Sequence, residues 1–247
     1  MSEHSPREQG RGRLVGVVVP VSTLDQQQRQ RMFELLNQYY VNVEPAQFRR
    51  DLDEKESTLL LNDSATGQIV GFTTMMQIPV NVDGQPIVGF FSGDTILDQA
   101  YWGDGELTRV WMRHVFQLRD EADPAMILYW FLIVKGHITY RYLPLLFREF
   151  YPNCSRPTPP DIQARLDALA FKKFPDEYDS QTGLVRPHDP APLMPGIADV
   201  TPQRAKNPHV KFFSERNPGH AAGDEMVCLT EVSRSNLTRM GRRVVDG

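Results

Sequence analysis

Ten consecutive apolar residues, Ala125 to Val134 (AMILYWFLIV), constrain this chain more than any other feature. The run is half the roughly 20 residues that a membrane-spanning helix needs. It offers no polar side to water, so it suits a strand in the middle of a sheet covered on both faces. The composition agrees with a layered globular fold. Hydrophobic residues make up 40% and charged residues 23% of the 247, which excludes wholesale disorder, collagen-like repeats and coiled coil. That length suits one large domain, or a domain with an appendage. Met1 to Arg13 is polar throughout, with no basic-then-apolar leader, and reads as a flexible tail at the start of a cytoplasmic protein.

The net charge of −4 and a pI near 5.9 provide no global field for nucleic acid or an anionic membrane. The basic pairs Arg49–Arg50, Lys172–Lys173 and Arg242–Arg243 read as solvated faces. Cys154, Cys228 and the six histidines lack the paired spacing of a zinc site, so no metal is expected.

The patterns along the chain alternate. Leu14 to Val21 is a β-branched strand. Asp25 caps a helix carrying Met32, Phe33, Leu36, Tyr39 and Tyr40, and a shorter helix spans Pro45 to Lys55. Strands follow at Thr58 to Leu61 and Gln68 to Met76. A turn at Asp83-Gly84 then leads into Ile87 to Leu97, interrupted at Gly93 by a bulge or a close backbone approach. After Trp102-Gly103-Asp104-Gly105 a helix presents Leu107, Val110, Trp111, His114, Val115 and Leu118 on one face. The apolar strand comes next, then a helical stretch with Tyr142, Leu146 and Phe150 in register. Twelve of the 19 prolines lie between 152 and 218. This later part is expected to hold a helix from Asp161 to Phe174 and strands at His209 to Glu215 and Glu225 to Val232. The order through residue 151 is a mixed α/β pattern.

That order, with the join Ile96-Leu97-Asp98-Gln99-Ala100-Tyr101-Trp102-Gly103-Asp104-Gly105, resembles the GNAT superfamily of CoA-dependent acyltransferases. The resemblance covers about Leu14 to Pro152. Residues 153–247 form an extension that packs on the core and completes its sheet. The implied fold is a mixed, mostly antiparallel sheet flanked by helices. In the family motif Gln/Arg-x-x-Gly-x-Gly/Ala, Trp102 takes the first place, Gly105 the first glycine and Leu107 the small residue, and only Gly105 matches. A helix N-terminus leaves about four N–H groups free and carries roughly half a positive charge. Gly103 and Gly105 would let such amides converge on a phosphate, whereas Asp104 and Glu106 would repel one. The resemblance implies a CoA pyrophosphate at Trp102 to Leu107 and main-chain bonds from Thr95 to Leu97, Ile96 included, to a pantetheine arm. The other reading of Gly103-Asp104-Gly105 is a plain helix start.

Amide formation from a thioester needs a deprotonated amine and a protonated leaving thiolate. The carboxylate candidate is Asp94, a polar residue in an apolar strand, where burial would raise its pKa. Alternatively, Ser92 and Asp94 satisfy backbone groups at a bulge. The resemblance puts Phe147 where the family has a proton-donating tyrosine, so Tyr142 or Tyr140 would have to substitute, and Tyr142 is preferred. Cys154 with a histidine, His114, His220 and Lys135-Gly136-His137 at a strand end are secondary candidates.

The resulting expectation is an acyltransferase that moves an acyl group from acetyl-CoA, another acyl-CoA or a carrier-protein thioester to an unidentified small-molecule acceptor, an amine. The protein partners it would take are a second copy of the chain or the carrier protein. The rivals are a non-catalytic ligand- or partner-binding module of the same fold, and a decarboxylating or acyl-transfer component of a biosynthetic pathway.

Overall fold

A computed structural model describes residues 12–247. One eight-stranded sheet runs through the molecule. In chain order, β1 (Leu14–Pro20) leads to α1 (Gln26–Leu36) and α2 (Pro45–Asp53), then to β2 (Ser57–Asp63), β3 (Ile69–Val82) and β4 (Gln85–Leu97). After α3 (Glu106–Glu121) come β5 (Ile127–Val134) and two short helices, α4 (His137–Tyr140) and α5 (Tyr142–Leu146). The remainder holds α6 (Pro160–Lys173), β6 (Tyr178–Asp179), β7 (Leu184–Val185), α7 (Pro208–Arg216), β8 (Glu225–Glu231) and α8 (Arg239–Asp246). The strand order is β1-β2-β3-β4-β5-β8-β7-β6. Every neighbouring pair is antiparallel except β4 and β5. This is the mixed, mostly antiparallel sheet flanked by helices that the sequence implies.

Local chemistry accounts for the boundaries. Asp25 and Gln28 form a reciprocal capping box at the start of α1. Asp83 and Gly84 both take positive φ, 52° and 81°, as a two-residue hairpin turn requires. The apolar run becomes β5 in the sheet interior, and its side chains alternate between the two layers. Leu128, Trp130, Leu132 and Val134 join a core with α3, α5, α7 and α8, while Tyr129 and Phe131 pack against α6. A third cluster sits under α1 and α2, on the same face as α6.

Several expectations are corrected. His209 to Glu215 is helical rather than extended, because the Asn207 side chain accepts the His209 and Val210 amides and Pro208 takes the first position. The helix after β5 stops at Leu146. Phe147 is extended and bridges Leu237, while the Leu146 carbonyl accepts the Thr238 amide at 2.9 Å. Phe150 is therefore not in helical register with Tyr142. Helix α1 ends at Leu36, so Tyr39 and Tyr40 lie beyond it. Of the expected tail, residues 1–11 fall outside the described residues. Gly12 donates to Asp63 Oδ2 at 3.0 Å, and the Arg13 carbonyl accepts from Ser64 at 3.0 Å. Among the described residues no helix is long and apolar enough to cross a membrane.

Candidate active site

The parallel pair β4–β5 is joined only from Ile87–Ile127 to Ser92–Leu132. Beyond it the strands part, leaving Gly93–Leu97 and Ile133–Val134 unpaired with one another. A bulge marks the point of departure. Thr95 opposes Thr73 and Ser92 opposes Met75, so Gly93 and Asp94 together face Thr74. A Cβ at Gly93 would stand 2.6 Å from Thr74 Oγ1 and 3.1 Å from Lys55 Cε, so glycine is required for this close approach. Ser92 is drawn to the other face, where its Oγ accepts the buried Trp130 indole N–H at 2.9 Å. Asp94 shares a face with Ile96, which is buried in the α1–α2 cluster.

Four groups converge at this end of the sheet. Lys135, the first residue after β5, pairs with Glu225 at 3.2 Å, and both side chains are mostly buried. The Lys135 ammonium also lies 5.1 Å from the centre of the Tyr40 ring. Burial raises the Asp94 carboxyl above its ordinary value, opposed by Lys135 and Lys55. Burial likewise raises Glu225 against the pull of Lys135. Burial would lower Lys135, but Glu225, Tyr40 and Asp94 outweigh it and hold the ammonium charged. Burial pushes the Tyr40 phenol up to about 12, against the pull of Lys135. Two carboxylates thus share one ammonium, and Glu225 holds it directly. No hydrogen bond to the Asp94 carboxylate is found among the described residues. A half-buried carboxylate of raised proton affinity with no partner of its own is suited to take a proton.

The loop after β4 shapes the other side of the opening. The Asp98 amide donates to the Val70 carbonyl at 2.8 Å, so alternation turns the Ile96 main chain toward β3 and aims Thr95 and Leu97 at the opening. The expected main-chain role of Ile96 is corrected accordingly, since its backbone serves the sheet and its side chain the core. The Leu97 carbonyl accepts the Trp102 indole N–H at 2.8 Å, and the Trp102 ring lies 6.2 Å from that of Tyr39. Gly103 and Gly105 have φ of 93° and 82°, with open space where a Cβ would stand. Asp104 accepts the Glu106 amide at 3.1 Å, and Glu106 pairs with Arg109. One of the free amides at the start of α3 is therefore already used, and one of the two carboxylates there is neutralised. Leu107 leans on the core below α3.

The remaining candidates separate. Tyr142 is half-buried on the α3 side of the sheet, so Asp94 and Tyr142 are brought to opposite faces. Tyr140 donates its hydroxyl to the Pro152 carbonyl at 2.9 Å, and Phe147 is buried beside Trp130. Cys154 Sγ lies 3.4 Å from His209 Nδ1 in a separate region of α4 and α7. Among the described residues no cluster of three His, Cys, Asp or Glu could hold a metal ion. A cavity of about 530 Å³ opens at the opposite end of β5, by Tyr129, Glu149 and Asn236. Sequence reasoning singled out Lys135 from its place at a strand end but missed Glu225 and Tyr40. Glu225 reaches the site only through the β5–β8 register, and Tyr40 only because α1 stops early.

No family model matches the chain, and no curated protein matches it. Among solved structures it is similar to a conserved protein of Enterococcus faecalis V583 described as a probable N-acyltransferase. The identity is 14% over 52% of this chain, and the TM-score is 0.39. It is also similar to a GNAT family N-acetyltransferase from Escherichia coli solved with CoA, at 18% identity over 57% of this chain and 71% of that one, with a TM-score of 0.38. A GCN5-related N-acetyltransferase from Kribbella flavida is similar at 12% identity over 91% of this chain, with a TM-score of 0.39. The chain spans 31% of the Enterococcus protein and 66% of the Kribbella protein.

Proposed function

We propose that the chain is a GNAT-type acyltransferase, taking an acyl group from acetyl-CoA, another acyl-CoA or a carrier-protein thioester and delivering it to a small amine in the cytoplasm. The observation that carries the reading is the parting of β4 from β5 at a bulge that presents Asp94. The residues present suit a thioester arm. Thr95 and Leu97 turn main-chain groups into the opening, and two left-handed glycines start a 16-residue helix beside it. Trp102 would have to leave the Leu97 carbonyl for that arm to bond there.

A bound thioester would supply an activated carbonyl and a thiolate leaving group. Asp94 would take a proton from the acceptor ammonium, directly or through water, freeing the nitrogen lone pair for the carbonyl carbon. As the carbon–sulfur bond breaks, the nitrogen's second proton would pass through solvent to the departing sulfur, since Tyr142 lies on the opposite face of the sheet from Asp94. Lys135, held charged by Glu225, keeps Asp94 available as a carboxylate despite its burial. Positioning in the opening would contribute much of the rate enhancement.

Thermal unfolding with free CoA, acetyl-CoA and a longer acyl-CoA tests the donor site. Ligand at about 100 times its dissociation constant stabilises by about 2.7 kcal/mol. For a chain of this size that is a rise of roughly 5–11 °C. Asp94→Asn is expected to keep that shift and lose amine acylation. A second reading, a binding module without turnover, is favoured by the Trp102–Leu97 bond and the carboxylates of Asp104 and Glu106. It gains if a CoA-induced shift occurs and no amine is acylated by the unaltered chain. No shift with any of the three ligands removes both readings.

A further inference from the structure

A segment from the C-terminal part of the chain crosses the end of β5, beside the opening between β4 and β5. Residues 192–194 run antiparallel to residues 39–41. The Val41 amide donates to the Pro192 carbonyl at 3.0 Å, the Met194 amide donates to the Tyr39 carbonyl at 2.8 Å, and Tyr40 bridges Leu193. The same segment meets the end of β5. A Cβ on Gly136 would lie 3.0 Å from Ala198 Cβ and 3.2 Å from Leu193 Cδ1. On its other side Tyr39 ties residues 39–41 to the loop after β4, because its hydroxyl accepts the Gln99 amide at 2.6 Å and its ring packs on Trp102. Both rims are therefore capped, the Leu97 carbonyl by Trp102 and Gly136 by Leu193 and Ala198.

We infer that residues 192–198 are a lid over the Asp94 site, closed in this structure, which must lift for a thioester arm to enter between β4 and β5. The inference rests on the acyltransferase reading and adds a control on access to it. Few backbone bonds hold the lid. Two join it to residues 39–41, one from the His137 side chain reaches the Ala198 backbone and Ile197 packs on the α1–α2 cluster, whereas the neighbouring strands β5 and β8 pair over six residues from Tyr129 to Val134. Segments held by few internal bonds open locally while a sheet stays intact. A closed lid lowers apparent ligand affinity by the fraction of molecules that are open.

The test locks the lid. Gly136→Cys with Ala198→Cys, in a Cys154→Ser background, brings two thiols together across the rim. Gly136 has extended backbone, so a cysteine there needs only the 3.0 Å approach to Ala198 to widen to the roughly 3.8 Å between the Cβ atoms of a disulfide. Oxidised and reduced forms are compared for acetyl-CoA binding by calorimetry, with the cross-link verified by mass. Binding to the reduced form and a loss of about a hundredfold or more in the oxidised form is the expected result. Equal affinity in the two forms overturns the lid. Should the cysteine pair disturb folding, Leu193→Ala serves instead and is expected to tighten acetyl-CoA binding several-fold, and unchanged or weaker binding overturns the proposal. Hydrogen exchange without ligand separates the lid from the chemistry. The Val41 and Met194 amides should exchange well before that of Phe131, and equal protection overturns the lid whatever binds. Fast exchange there with no acetyl-CoA bound by either redox form refutes the acyltransferase reading, and the lid's ligand with it.

Discussion

Replacing Lys135 by methionine probes the charge arrangement at the site most directly. Methionine retains the apolar stem and removes the ammonium, which leaves Asp94 and Glu225 without the cation they share. The Lys135 and Glu225 side chains are only 17% and 11% exposed, so solvent screens the pair weakly. Breaking one partner of a buried pair costs about 3–5 kcal/mol. At roughly 2–4 °C per kcal/mol for a chain of this size, melting near pH 7 should fall by about 6–20 °C. The loss should depend on pH in a fixed direction. Asp94 and Glu225 both have folded-state pKa values above their unfolded ones. Their contribution is fully present at low pH and is lost as pH rises through the folded value. Without Lys135 those values climb further, so the deficit should be small near pH 5 and largest near pH 8. Lys135 is itself raised above its ordinary value, so its ionisation is constant across that window. Thermal unfolding of both proteins at several pH values reads this out, and Lys135→Met with Glu225→Gln completes a double-mutant cycle. The double variant should recover most of the loss, because replacing both members of a buried pair is close to neutral. A deficit equal at pH 5 and pH 8, or a double variant no better than the single one, would refute the reasoning.

Asp94→Asn should raise the melting temperature at neutral pH. The native chain holds a half-buried carboxylate whose folded pKa exceeds its unfolded one, and the gain should vanish in acid, where both states are protonated. Ser92→Ala strands the buried Trp130 indole N–H and should cost about 1–3 kcal/mol, read as a lower denaturant midpoint with unchanged slope. Gly105→Ala meets open space but forces a left-handed alanine, a cost of about 1–2 kcal/mol. The same variant should also weaken any CoA-induced shift, and a CoA response as large as that of the unaltered chain would separate the turn from the ligand.

Elements whose information is local were legible in the sequence. The β5 run, the Asp25 cap, the Asp83-Gly84 turn and the α3 stripe each depend on residues within a few positions of one another. The interruption at Gly93 was visible too, because a glycine and two polar residues break an otherwise apolar strand. His209 to Glu215 misled because Phe212 and Phe213 suit a strand, while the deciding residue, Asn207, stands outside the apolar segment. Phe147 was given a tyrosine's place by the family resemblance and Phe150 a helical register with Tyr142, yet a bridge from Phe147 to Leu237, ninety residues later, draws the chain out of the helix. At the site, Asp94 was visible as a polar residue within an apolar strand and Lys135 as one at a strand end. Glu225 and Tyr40 were not, since their positions depend on strand pairing and on a helix terminus.

The late strand decides what Asp94 can do. With only the first 152 residues, the Lys135 ammonium would face Asp94 and Tyr40 alone, and a carboxylate with an ammonium to itself is held in its charged form and is a poor base. In the full sheet β8 pairs with β5 so that Val134 opposes Met226 and Leu132 opposes Cys228, and one step further along that register Glu225 stands opposite Lys135. Glu225 takes the ammonium directly, at 3.2 Å. Asp94 then has only the more distant share of that charge, and burial raises its proton affinity. The extension contributes to the same end of the sheet twice more, through the Lys173 ammonium on Glu54 at 2.8 Å and through Leu193 and Ala198 over Gly136. In the proposed site, charge and access at Asp94 would thus both be set from beyond residue 152, which is why the strand carrying the carboxylate could be read from its own sequence while its surroundings could not.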